Sequence, residues 1–309
     1  MRLACWRARP RARDLLKTKP KMVMIGSGGR LGAALVREYR TKFDVIGFNH
    51  AQLDLGNPDA IREKLRAIDF NLLVNAAAFT NVDLCETERG QAFRINADAP
   101  RILAEICRDK NAKLIHFSTD YVFDGGKREP YTETDPARPI SVYGESKRAG
   151  EEDVLAVQDR HLIVRVSWVF GPDRPSFIDG MIKRALENEQ VDAIADKFST
   201  PTYTDDIAQM LPHFFELNVE GGILHFANAG ECSWQEYAQF ALDCCRSLGL
   251  PLKAKAVGAL KLADMKNWRA RRPIYSVLST TKYISTTGGT PRGWRDAVAD
   301  YIRRSYSKK

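Results

Sequence analysis

Val23-Met24-Ile25-Gly26-Ser27-Gly28-Gly29-Arg30-Leu31-Gly32-Ala33-Ala34-Leu35-Val36 reads as a short apolar strand, a glycine-rich turn and the opening of a helix. In that order a glycine cluster can receive a pyrophosphate. The glycines let backbone N–H groups approach phosphate oxygens, and the helix N-terminus adds partial positive charge. The glycines stand at 26, 29 and 32, a G-x-x-G-x-x-G spacing, and Leu31 occupies the position where G-x-G-x-x-G needs glycine. Alone, the cluster reads equally well as a tight turn. What separates the two readings lies downstream.

Outward from this loop the chain alternates strand and helix, which predicts an α/β fold: a Rossmann-type, doubly wound parallel sheet flanked by helices. Strands are expected at 22–25, 44–48, 71–75, 113–118 and 161–166, and helices at 31–39, 59–67, 90–108 and 143–157. After Gly171-Pro172 the pattern loosens into a helix at 177–188, a short strand at 191–194, a helix at 205–217 and a strand at 222–226. The expected organisation is a dinucleotide-binding domain at 22–170, to which 203–229 returns. Segments 171–202 and 230–309 would form a smaller, mostly helical substrate-binding lobe with a C-terminal helix.

Tyr143 and Lys147, in Tyr143-Gly144-Glu145-Ser146-Lys147, are spaced i, i+4 and so project from one face of a helix. Thr119 follows the apolar run Lys113-Leu114-Ile115-His116-Phe117 and is expected at the carboxyl end of a strand, where open α/β sheets bind ligands. Phenol, ammonium and hydroxyl together can move a proton onto or off an oxygen beside a carbonyl. A tyrosine and lysine at this spacing are otherwise ordinary surface residues. Their order behind the glycine loop favours the pyrophosphate reading of that loop over the turn-only one.

Four further blocks carry a resemblance. They are Val74-Asn75-Ala76-Ala77-Ala78-Phe79-Thr80-Asn81-Val82-Asp83, Ser118-Thr119-Asp120-Tyr121-Val122-Phe123-Asp124-Gly125, Arg165-Val166-Ser167-Trp168-Val169-Phe170-Gly171 and Arg272-Pro273-Ile274-Tyr275-Ser276-Val277-Leu278. With the glycine loop and the Tyr143–Lys147 pair, they resemble the extended short-chain dehydrogenase/reductase superfamily, and within it the dTDP-4-dehydrorhamnose reductase family, from Met22 onward. The resemblance implies NADPH- or NADH-dependent reduction of the carbon-4 keto group of a nucleotide-linked 6-deoxy sugar, dTDP-4-dehydro-L-rhamnose giving dTDP-L-rhamnose. It also reaches nucleotide-sugar epimerases and dehydratases, and a non-catalytic regulatory subunit of methionine adenosyltransferase.

Carried over residue by residue, the resemblance gives Thr119, Tyr143 and Lys147 as catalytic, with Tyr143 the proton donor and Lys147 also holding the nicotinamide ribose. A free phenol has a pKa of about 10, and a lysine one helical turn away, together with the cationic nicotinamide of the oxidised cofactor, is expected to lower it. Cofactor binding falls to Gly26, Gly29, Arg30, Leu31, Gly32, Asp54, Leu55, Ala76, Ala77 and Ala78, besides Tyr143 and Lys147. Arg30 reads equally as a phosphate contact or a solvated first-turn residue, and Asp54 as an adenine contact or a turn residue before Gly56. Val82, Asp120, Tyr121 and Trp168 match positions lining the sugar pocket; for Trp168, core packing along a continuing strand is the rival reading. Phe48-Asn49-His50 offers neither the acid that selects NAD nor the arginine that selects NADP, which leaves both coenzymes open. One departure stands out: Asp196-Lys197-Phe198-Ser199-Thr200-Pro201-Thr202 replaces a segment where relatives often carry glutamine and glycine.

Composition sets the outer limits. Of the net charge of +8, residues 1–21 contribute +7 and the rest of the chain +1, so no basic face for nucleic acid is implied. That basic segment lacks the apolar run of a secretory signal and is expected to be a disordered extension. Met22, at the head of the first strand, is where a protein of this kind could begin. No apolar stretch approaches the ~20 residues of a membrane span. The six cysteines include no C-x-x-C pair and no metal-ligand spacing with the five histidines, a pattern that suits a reducing cytoplasm without a metal site. The expected partner is the nucleotide sugar, and the family pattern allows a homodimer.

Overall fold

In the first strand, β1 (Lys21–Ile25), Met22 and Met24 pack into one helical layer while Val23 and Ile25 pack into the opposite one. Side chains alternate across a strand, so a strand buried on both faces reads as a near-continuous apolar run. The computed structural model describes residues 19–216, 219 and 221–307. Most of the expected basic extension, residues 1–18, lies outside them.

The chain continues through α1 (Arg30–Tyr39), β2 (Asp44–Phe48), α2 (Pro58–Arg66), β3 (Leu72–Asn75), α3 (Val82–Thr87), α4 (Arg89–Phe93) and α5 (Ala99–Asp109). Then come β4 (Lys113–Thr119), α6 (Val142–Val157) and β5 (Leu162–Val166). The remainder is β6 (Val169–Phe170), α7 (Phe177–Glu187), β7 (Val191–Ile194), β8 (Phe198–Ser199), β9 (Thr202–Tyr203), α8 (Thr204–Met210), β10 (Gly222–Phe226), β11 (Cys232–Ser233), α9 (Trp234–Ser247), β12 (Val257–Leu260), α10 (Thr281–Thr287) and α11 (Trp294–Tyr306). Six strands form one sheet in the order β2-β1-β3-β4-β5-β10, every neighbouring pair parallel. The strand order reverses at β1, so the crevice for a ligand opens at the carboxyl ends of β1 and β3.

A second core belongs to the lobe. Ile178, Met181 and Ile182 of α7, Tyr237 and Leu242 of α9, and Ala297, Val298 and Tyr301 of α11 pack together with Phe170 and Tyr203. In 230–293, α9 is the long helix; the chain after it supplies β12, paired with β7, the short α10, whose Tyr283 packs on the main sheet, and irregular segments.

Several element boundaries differ from the sequence expectation for identifiable reasons. The ladder includes Lys21, and Pro20 O accepts from Asp44 N. The expected helix at 90–108 contains a π turn at Arg94–Asp98 between α4 and α5. The expected helix at 205–217 stops at Met210, because Pro212 cannot supply the N–H that would continue it. Helix α6 starts one residue early, at Val142, where the Ser141 side chain accepts from Gly144 N.

One buried ion pair fastens α6 to β5. Glu151 accepts from Arg165 Nε at 2.9 Å and from Nη2 at 2.6 Å, both side chains being 3% exposed. Removing one partner leaves an uncompensated buried charge. Glu151→Leu is therefore expected to cost about 3–5 kcal/mol in urea unfolding, and the double variant with Arg165→Met to recover most of that. Equal destabilisation by the single and double variants would contradict this account.

Candidate active site

A cleft of about 1090 Å³ runs along the carboxyl edge of the sheet, walled on the far side by Lys197, Ser199 and Trp234 of the lobe. Every candidate residue from the sequence lines it except Gly32. Gly32 acts by close packing: a Cβ there would stand 2.1 Å from Gly26 O. Helix α1 can approach the loop only because position 32 has no side chain.

The glycine-loop end is built for an anion. Gly29, the N-cap of α1, makes no side-chain capping bond, and no acid stands in the first turn. The first intrahelical bond runs from Ala33 N to Gly29 O, which leaves the N–H groups of Arg30, Leu31 and Gly32 to a ligand. Ala76, Ala77 and Ala78 continue the cradle without bulk, and Leu55 closes it from the β2 side. Asp54 serves the turn, its Oδ1 accepting from Gly56 N at 2.8 Å, and it also lines the cleft. Arg30 follows neither expectation. Its guanidinium donates to the carbonyls of Val169 (3.3 Å), Arg174 (3.2 Å) and Pro175, so it pins the 169–175 strap to α1 and leaves only its backbone for phosphate. Arg174 reaches back, its Nε donating to Gly28 O at 3.0 Å beside Asn49. These residues fit a dinucleotide.

At the opposite end, α6 is pressed against the turn after β4. A Cβ on Gly144 would lie 2.2 Å from Tyr121 O, so glycine at 144 permits the approach that sets Tyr143 beside Thr119. Burial pushes the Tyr143 phenol above its ordinary range, and the Thr119 hydroxyl pulls the other way. The expected lowering by Lys147 is absent. That side chain, 1% exposed, turns to Phe117 O at 2.7 Å and His116 Nε2 at 3.1 Å. Burial, partly offset by Glu151, lowers the Lys147 pKa to about 8. His116 is held neutral by burial and by Lys147. Asn75 Oδ1 accepts from Ala77 N, which turns Asn75 Nδ2 toward His116 Nδ1 at 3.0 Å. That assigns the imidazole proton to Nε2, facing the Lys147 amine, and adds to the pressure on its charge.

The four candidate sugar-pocket residues surround the same corner. Asp120 is fully engaged: Thr119 Oγ1 donates to its Oδ1 at 3.1 Å, and Ser167 and Ser276 donate to its Oδ2 at 3.1 and 2.6 Å. Burial raises its pKa against the pull of Lys197 and these hydroxyls. Tyr121 sets its ring edge-on to Tyr143 with centroids 5.7 Å apart. Val82 opens α3 at the cleft wall. Trp168 does not continue a strand; its φ of 46° breaks the chain between β5 and β6 and swings the indole onto Trp234 and Tyr237, while it still lines the cleft.

Sequence reasoning missed Asn96, His116, Arg174 and Lys197. Asn96, in the π turn, binds both backbone groups of Phe79 and Ser146 Oγ, which holds the alanine segment to α6. An Asn-Ala-Asp interruption in an apolar helical run was its only signal.

Fold and site together define a dinucleotide-dependent member of the extended short-chain dehydrogenase/reductase superfamily. A family model described as the RmlD substrate binding domain matches residues 20–307. The chain is 33% identical to the dTDP-4-dehydrorhamnose reductase of Escherichia coli (strain K12), over 93% of this chain and 98% of that one. It is also 33% identical to the spore coat polysaccharide biosynthesis protein SpsK of Bacillus subtilis (strain 168), with the same coverage. The crystal structure of the Bacillus anthracis dTDP-4-dehydrorhamnose reductase in complex with NADP superposes with a TM-score of 0.85 at 30% identity, covering 93% of this chain and all of that one. The chain belongs to the RmlD, or dTDP-4-dehydrorhamnose reductase, family.

Burial of Lys147 has a measurable consequence. Its folded pKa of about 8 lies below the ordinary 10.5, so between those values the folded chain binds fewer protons than the unfolded one and stability rises with pH. Lys147→Met removes that dependence. The stability of the variant relative to the parent is expected to be greatest near neutrality and to shrink as pH rises from 8 to 10.5, measured by urea unfolding at each pH. Parallel pH profiles would contradict the assignment.

Proposed function

We propose that this protein reduces the carbon-4 keto group of a nucleotide-linked 6-deoxy sugar with NADPH or NADH, converting dTDP-4-dehydro-β-L-rhamnose to dTDP-L-rhamnose. One observation carries the reading: Thr119, Tyr143 and Lys147 share one cleft with a free helix N-terminus, in a chain collinear with reductases over nearly its whole length. Gly26, Gly29, the N–H groups of residues 30–32, Asp54, Leu55 and Ala76–Ala78 would hold the dinucleotide. Bound there, it would supply the hydride and, once oxidised, a positive charge that eases loss of the phenolic proton.

Tyr143 donates its proton to the carbonyl oxygen as the alkoxide develops. Thr119 orients that oxygen; its hydroxyl proton is directed at Asp120 and turns to the substrate by rotation about Cβ–Oγ. Lys147, fixed by Phe117 O and His116, is placed to hold the nicotinamide ribose. Trp168, Trp234 and Tyr121 wall the sugar from water. The described cysteines, 85, 107, 232, 244 and 245, are unpaired and at least half-buried, which supports a cytoplasmic location.

Three variants test the roles. Tyr143→Phe should leave dinucleotide affinity nearly unchanged and lower turnover at least ~10²-fold. Lys147→Ala should weaken both, and Thr119→Val should lower turnover alone. Near-full turnover in Tyr143→Phe would refute the assignment and favour a binding role for the protein. With neither acid nor arginine at Asn49-His50, preference between NADH and NADPH is expected within roughly tenfold, about 1.4 kcal/mol. Arg174→Ala should erase any bias toward NADPH in binding titrations. A thousandfold preference surviving in that variant would place the discriminating charge elsewhere.

A further inference from the structure

Among the described residues three lysines lie fully buried, and two of them have hydrogen-bonded partners. Lys113 donates to Glu216 O and Val219 O, and Lys147 donates to Phe117 O beside His116 Nε2. Lys197, between β7 and β8, is 1% exposed, hydrogen-bonds to no described residue, and lines the cleft. Its Nζ sits 5.3 Å from the Tyr121 ring centroid and 6.0 Å from that of Trp234.

The charges around it are already committed elsewhere. Asp120, which attracts it, is held by three hydroxyls. Arg272, which repels it, is spent on Asp83 and on the Trp268 face. Burial lowers its pKa to about 8, so at neutral pH the amine still carries its charge for most of the time. A buried cation without a hydrogen-bonded partner is costly, and it is repaid when an anion enters beside it.

The position of Lys197 limits which anion that is. Tyr121 meets both groups, edge-on to the Tyr143 phenol and with its ring 5.3 Å from the Lys197 amine. Carbons 1 and 4 of a pyranose lie across the ring from each other. A sugar whose carbon 4 meets Thr119 and Tyr143 therefore extends its anomeric oxygen and the attached phosphate away from them, past Tyr121. We infer that Lys197 holds the sugar-proximal phosphate of a nucleoside diphosphate sugar, and makes the cleft select diphosphate-linked sugars over free ones. The inference rests on the substrate orientation proposed above.

Calorimetric titration of the full chain with dTDP, thymidine and NADP⁺ tests it. The parent protein is expected to bind dTDP at least tenfold more tightly than thymidine. Lys197→Met, matched in volume, should lose at least tenfold in dTDP affinity while keeping its affinities for thymidine and NADP⁺. Lys197→Arg should retain most of the dTDP affinity, which separates loss of charge from a packing defect. If parent and Lys197→Met bind dTDP equally, the inference is overturned while the nucleotide-sugar reading stands. If the parent binds NADP⁺ but not dTDP, both are overturned.

Discussion

Lys147 carries its charge 1% exposed, between the Phe117 carbonyl and His116, and the rest of the site is arranged around that placement. Taking an ammonium out of water costs several kcal/mol after relaxation. The fold meets that cost by bringing α6 close enough to β4 for a main-chain carbonyl to receive the amine. Such proximity requires glycine at 144, where any Cβ would strike Tyr121 O. The same approach brings Tyr143 to Thr119. Through His116 and Asn75 the amine is linked to the Ala77 N–H, on the wall expected to face the dinucleotide. One contact between helix and strand thereby sets the proposed proton donor, ribose anchor and coenzyme cradle in a common frame.

Against this rigid edge the lobe supplies groups from far away in sequence. Arg30 and Arg37 of α1 hold the strap before α7 through the Val169, Arg174 and Pro175 carbonyls and through Asp173, and Arg174 returns the contact at Gly28. The two cores are thus joined beside the glycine loop, where an anion would sit. The end of the cleft beside Tyr143 draws Lys197 and Trp234 from the lobe and Asp120 and Tyr121 from the turn after β4.

Much of this was legible in the chain because it is local. The glycine loop, the strand ending at Thr119 and the Tyr143–Lys147 pair each lie within a few consecutive residues, and spacing alone places them on one sheet edge. What escaped depends on partners distant in sequence. Arg30 read equally as a phosphate contact or a solvated first-turn residue because the carbonyls that occupy it come from residues 169–175. Lys147 was expected to act on the phenol, but Phe117 and His116 redirect it. The π turn around Asn96 and the left-handed Trp168 answer tertiary contacts that no propensity encodes. Charged Lys197 carried no sign that it would be buried.

The most direct measurement follows reduced-coenzyme absorbance with dTDP-4-dehydro-L-rhamnose while the sugar product is quantified in the same reaction. This account expects one equivalent of NADPH or NADH consumed for each dTDP-L-rhamnose formed. Sugar conversion with the coenzyme returned unchanged would contradict it and indicate an epimerase or dehydratase. Tight coenzyme binding without conversion would contradict it in favour of a binding subunit.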